Sequence, residues 1–130
     1  MIQLVKKYNL FYIVAPIHYM VVDATGNSAV IEFVNGKMVT TMKNNDYHVV
    51  TNFRLHNNPN QNGFGKDRYE NIENELEKCQ GIISVKDALE LLKKNVIPGD
   101  EQWSAVYNLT KKSVQVTFSR DYNHVYKYEL

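Results

Sequence analysis

The N-terminal stretch IQLVKKYNL carries Ile2, Leu4 and Val5 at near-helical spacing, with Asn9 as a stop. This predicts the last turns of a helix, and no capping residue precedes it. After Pro16 the apolar period shortens to that of strands. Residues 17–23 (IHYMVVD) and 28–34 (SAVIEFV) flank a Thr25-Gly26-Asn27 turn. Asn35-Gly36 then predicts a two-residue hairpin, because both central positions of a type I′ turn need positive φ. The hairpin leads into KMVTTM (37–42), and YHVVTN (47–52) predicts a fourth strand. Strands joined by such tight turns pair antiparallel, as a meander.

Helical spacing returns near residue 67. Asp67 and Glu70 have capping-box spacing, and Tyr69, Ile72, Leu76 and Cys79 fall on one stripe. Ser84 and Asp87 repeat the box ahead of an apolar face of Val85, Ala88, Leu89 and Leu92, and Pro98-Gly99 ends that unit. The tail predicts three more strands, in QWSAVYNL, SVQVTFS and HVYKYEL. In the middle one, Val114, Val116 and Phe118 alternate with Gln115, Thr117 and Ser119, which predicts one buried and one polar face. Strands, then two helices, then strands describe an α+β fold with the helices packed on one face of antiparallel sheet.

Composition narrows the picture further. A chain of 130 residues is long enough for one domain with a real core, and residues 1–130 are read as a single domain. Apolar residues at 44% and charged residues at 22% describe a soluble globular protein. A net charge of +1, with Lys and Arg in pairs but in no longer block, offers no electrostatic case for nucleic acid or a membrane surface. The lone cysteine, Cys79, excludes an internal disulfide framework and suits a reducing cytoplasm. No apolar run approaches the roughly 18 residues of a membrane span, and the N-terminus lacks the zones of a signal peptide. A cytoplasmic location is the expectation, and Asn108-Leu109-Thr110 reads as a plain turn.

Most of the reactive side chains have a bland reading. Cys79 sits on an apolar helical stripe with no neighbouring base, as a small buried hydrophobe would. His18, His48, His56 and His124 show no metal-ligand spacing and no acidic partner at i+3 or i+4, so no metal or cofactor is expected. Asp23 before a Gly-containing turn is ordinary turn chemistry. Asn52 and Arg68 bracket the run NFRLHNNPNQNGFGKDR, and two readings stay open there. A solvated polar loop accounts for the run. So does a strand-end site in which the Asn52 amide donates to an oxyanion and the Arg68 guanidinium holds a neighbouring group ionised.

PIHYMVVDATGNSAVIEFVNGKMV resembles the signature of linear amide C–N hydrolases, the family of choloylglycine (bile salt) hydrolases and penicillin V acylases. VVTNF is similar to the family's Thr-Asn strand end, GKDRY to its helix start, and QWSAVYNLTKKSVQVTFSRDY to its paired C-terminal strands. The resemblance implies that Asn52 forms part of the oxyanion hole and that Arg68 lies near the nucleophile. It also implies half of an αββα sandwich of the N-terminal-nucleophile (Ntn) type. In such enzymes an N-terminal Cys attacks the amide and its own α-amine is the base. Here the first residue is Met1, the only Cys is Cys79, and the Arg and Asp that closely follow the family's nucleophile have no counterpart. The chain is therefore expected to be the C-terminal part of such an amidase, inactive alone, with an N-terminal half and a small-molecule amide as partners. Exposed strand edges would favour a homo-oligomer. The alternative is a non-catalytic binding or structural remnant that self-associates.

Overall fold

A computed structural model describes residues 2–7, 17–43, 45–99 and 102–130. They fall into two units, residues 1–69 and 70–130, and the fold is α+β with two small three-stranded antiparallel sheets. The predicted N-terminal helix is present as α1 (Ile2–Val5), while its predicted stop, Asn9, lies outside the described residues.

In the first unit, β1 (His18–Val22), β2 (Ser28–Val34) and β3 (Lys37–Met42) form a meander with β2 in the middle. The register pairs Tyr19 with Ile31 and Ile31 with Thr40. Residues 28–32 of β2 are all buried, so this strand is covered on both faces. The hairpin forms as expected, with Asn35 at φ 51° and Gly36 at φ 72°. At the β1–β2 turn, Asp23 Oδ1 accepts from the backbone of Thr25 (2.9 Å) and Asn27 (3.0 Å). With the Thr25 hydroxyl as the largest cause and the Asn27 side chain next, these bonds bring its pKa down to about 2.

The fourth predicted strand, residues 47–52, does not form. β2 is already bonded on both sides, and the segment makes no ladder with β1 or β3 among the described residues. Side chains tether it instead. His48 Nδ1 is bonded to the buried Ser28 hydroxyl (2.9 Å), Val49 is buried, and the Thr51 hydroxyl donates to the Gly65 carbonyl (2.9 Å). An apolar run reports only which side chains are covered, and strand status depends on a backbone partner.

Burial, and then the Lys43 ammonium, push the His48 imidazole below its ordinary pKa near 6.5. The fold therefore favours neutral His48. Its contribution is fully present above pH ~6.5 and is lost as pH falls toward the lower folded value. Asp23 adds nothing to this window, since its contribution changes only between the ordinary carboxylate value of 3.8 and its lowered value of about 2. Unfolding followed at pH 7 and pH 5.5 should show a loss of stability at the lower pH that shrinks in His48→Gln. An equal loss in both proteins would assign the acid sensitivity elsewhere.

The helix α2 (Lys66–Lys78) crosses from the first unit into the second, and α3 (Val85–Lys94) follows. Ser84 caps α3 by accepting from the Asp87 amide (3.1 Å), while the Asp87 carboxylate accepts from the Ser84 hydroxyl (2.6 Å). The expected pair is there, closed side chain to side chain. In the second sheet, β4 (Ser104–Asn108), β5 (Ser113–Thr117) and β6 (Tyr126–Glu129) lie in that order. Leu76 of α2 and Leu91 and Leu92 of α3 face Ala105 and Val106 of β4.

The alternation predicted for residues 113–119 fails at its end. Thr117 is fully buried and Phe118 is half exposed. β5 stops at Thr117, and Ser119 (φ 51°) and Arg120 (φ 58°) turn the chain left-handed. Period-2 alternation holds only while the backbone stays extended. Among the described residues no helix is long and apolar enough to cross a membrane.

Candidate active site

The run after Val49 is anchored at both ends by burial. Phe53 is 4% exposed, and its ring meets that of buried Tyr69 at 5.2 Å between centroids and 57° between planes. A Cβ on Gly63 would lie 2.4 Å from Phe53 Cβ, so only glycine lets the returning chain pass over that ring. Between the anchors, part of the amide richness is structural. The Asn58 side chain donates to the carbonyls of Arg54 (2.9 Å) and Asn62 (2.8 Å) and accepts from the Asn62 amide (3.0 Å). Asn57 (φ 55°) takes a left-handed turn position, which Asn tolerates well.

Anchoring brings the two sequence-predicted residues together, 16 positions apart in the chain. Arg68 Nη2 donates to Asn52 Oδ1 at 2.7 Å. Gly65 (φ +85°) makes room for this: a Cβ there would meet Arg68 Nη2 at 2.5 Å and Thr51 Oγ1 at 3.3 Å. The Arg68 guanidinium also lies over the Phe64 ring, 5.3 Å from its centroid.

This bond settles which way the Asn52 amide points. A guanidinium has donors only, so it must face the amide oxygen. The Asn52 NH₂ group is then turned the other way, with no hydrogen-bond partner among the described residues. A positive charge on the oxygen side also polarises the amide and strengthens its N–H donors. Asn52 borders an open pocket of about 760 Å³, lined also by His18, Glu32, Arg54, Asn57 and Asn62. That size lies within the range of small-molecule sites.

Glu32 is the residue sequence reasoning did not single out. It is 3% exposed, and its carboxylate accepts from the backbone amides of Leu55 (2.9 Å) and His56 (2.8 Å). A glutamate between Ile31 and Phe33 in an otherwise apolar strand was the available signal, because a buried carboxylate demands partners.

Cys79 belongs to the second unit. It lies just beyond the end of α2 and is half-buried, where full burial was expected. Its thiol donates to the Leu76 carbonyl (3.4 Å). Nothing in that arrangement activates a nucleophile. Among the described residues no group of three or more His, Cys, Asp or Glu could hold a metal ion. His18 Nδ1 is 3.8 Å from the Glu32 carboxylate, and His124 is bonded to Asp121 at an exposed position (2.6 Å). The Asp121 contact gives His124 an acidic partner at i−3, outside the i+3 and i+4 positions.

The site therefore offers a polarised N–H donor beside a cation in a residue that borders a pocket, with no nucleophile or base bonded to that donor among the described residues. No curated protein and no solved structure matches the chain significantly. The family profile described as linear amide C–N hydrolases, choloylglycine hydrolase family, matches residues 1–78. Those residues include the whole first sheet, the amide-rich loop and α2. With well over half its length matched, the chain belongs to the choloylglycine hydrolase family of linear amide C–N hydrolases.

Proposed function

We propose that this chain is the C-terminal part of an Ntn-type amidase of the bile salt or penicillin V acylase kind, and that it supplies the oxyanion-binding part of the site. The single observation that supports this reading best is the Arg68–Asn52 hydrogen bond, which turns the NH₂ group of a pocket-bordering residue away from Arg68. The nucleophile is an N-terminal Cys on a preceding or separate segment. Its thiolate attacks the amide carbonyl, forming the C–S bond and moving the π pair onto oxygen. Asn52 Nδ2 donates to that oxygen as its charge develops. Collapse of the tetrahedral species breaks the C–N bond, and the amine leaves with a proton from the nucleophile's own α-ammonium. Water then hydrolyses the thioester to the acid. The Arg68 charge favours the thiolate over the thiol.

The test compares hydrolysis of a conjugated bile salt and of penicillin V by the chain alone and by the chain mixed with a segment bearing an N-terminal Cys. The chain alone should show no thiol-dependent turnover, with Cys79→Ala making no difference, and the mixture should hydrolyse one of the two amides. Turnover by the chain alone that disappears in Cys79→Ala would contradict the reading.

A further inference from the structure

Glu32 lies in the middle strand of the first sheet, where its carboxyl group has lost nearly all its water. Such a group is tolerated only when other donors replace that water. His18 Nδ1, at 3.8 Å, is beyond hydrogen-bond reach. The replacement comes from two consecutive backbone amides, Leu55 to Oε1 and His56 to Oε2. Successive amides converging on an anion form a small nest, and only a carboxylate offers two acceptor oxygens side by side to fill it. These amides lie three and four residues beyond Asn52, and Glu32, His18 and Asn52 border the same pocket.

We infer that Glu32 is a positioning residue: its carboxylate clamps the Leu55–His56 backbone to the sheet and so sets where Asn52 presents its amide. Asn52 is itself exposed, so its location depends on its neighbours. Phe53 is fixed by burial, Thr51 is tied to Gly65, and the chain beyond is fixed by Glu32. The inference rests on the reading of Asn52 as the oxyanion donor, whereas the clamp can be measured without it.

The experiment is hydrogen exchange and side-chain amide NMR on the isotopically labelled chain and on Glu32→Gln. Glutamine keeps the size but offers one acceptor oxygen, so one backbone N–H meets an NH₂ group. Leu55 and His56 should exchange about tenfold faster or more. The Asn52 side-chain resonances should move, and Val30 and Ile31 should keep their protection. Should the variant fail to fold, the unaltered chain provides a separate measure: the Leu55 and His56 amide nitrogens should each show a through-hydrogen-bond coupling to the Glu32 δ-carbon. Unchanged exchange at Leu55 and His56, protection lost evenly across the first sheet, unmoved Asn52 resonances, or absent couplings would each overturn the inference. If the clamp signatures appear but Asn52→Ala has no kinetic effect, the oxyanion reading fails and Glu32 with it as a positioning residue, leaving only a loop clamp.

Discussion

In the chain complemented with its nucleophile-bearing segment, Asn52→Ala is expected to lower kcat about 100- to 1,000-fold and leave KM nearly unchanged. The split follows from when the charge appears. A ground-state amide oxygen is a modest acceptor, while the oxygen of the tetrahedral species carries close to a full negative charge. A donor fixed in advance gains most at that moment and pays no reorganisation cost. Asn52 is fixed in this sense because Arg68 holds its oxygen at 2.7 Å. Steady-state kinetics on one amide substrate would measure the effect. A rise in KM with kcat intact would make Asn52 a substrate-binding residue, and no change in either would return residues 52–68 to a solvated loop.

Phe53→Ala is expected to destabilise the first unit by about 3–5 kcal/mol, the usual cost of removing a buried Phe side chain. Phe53 is 4% exposed, packs on Tyr69, and lies close against the Gly63 backbone. The loss should reach the site as well, since Phe53 directly follows Asn52 and Tyr69 directly follows Arg68. Urea unfolding followed at amide resonances of the first sheet would measure it. A shift below about 1 kcal/mol would mean that the Phe53–Tyr69 contact is not a principal anchor of the unit.

What the chain revealed before its structure was known depended on the range of the physics involved. The Asn35-Gly36 hairpin and the Ser84 cap are decided by residues that touch within one turn, and both form as expected. Asn52 and Arg68 stood out as residue types, and the resemblance assigned them roles. Their contact across 16 positions depends on Phe53 burial and on two close approaches at glycine, which no local pattern expresses. The strand expected at residues 47–52 failed for a related reason. Its apolar run reads as a strand's does, but among the described residues the segment finds no backbone partner at the edge of β1 or β3. Phe118 was misplaced because the left-handed residues after it are Ser and Arg, which carry little turn signal. Glu32 was legible as a charge in an apolar strand, while its partners, 23 and 24 positions away, were not.

The most direct measurement of the central claim is a double-mutant cycle on kcat between Asn52→Ala and Arg68→Ala in the complemented enzyme. It should be run above the pH at which the nucleophile has ionised, so that the Arg68 charge no longer affects thiolate formation. If Arg68 acts by holding and polarising the Asn52 amide, the double variant should be no slower than Asn52→Ala alone. Losses that multiply would show that the two residues act independently and would contradict a shared oxyanion-binding unit.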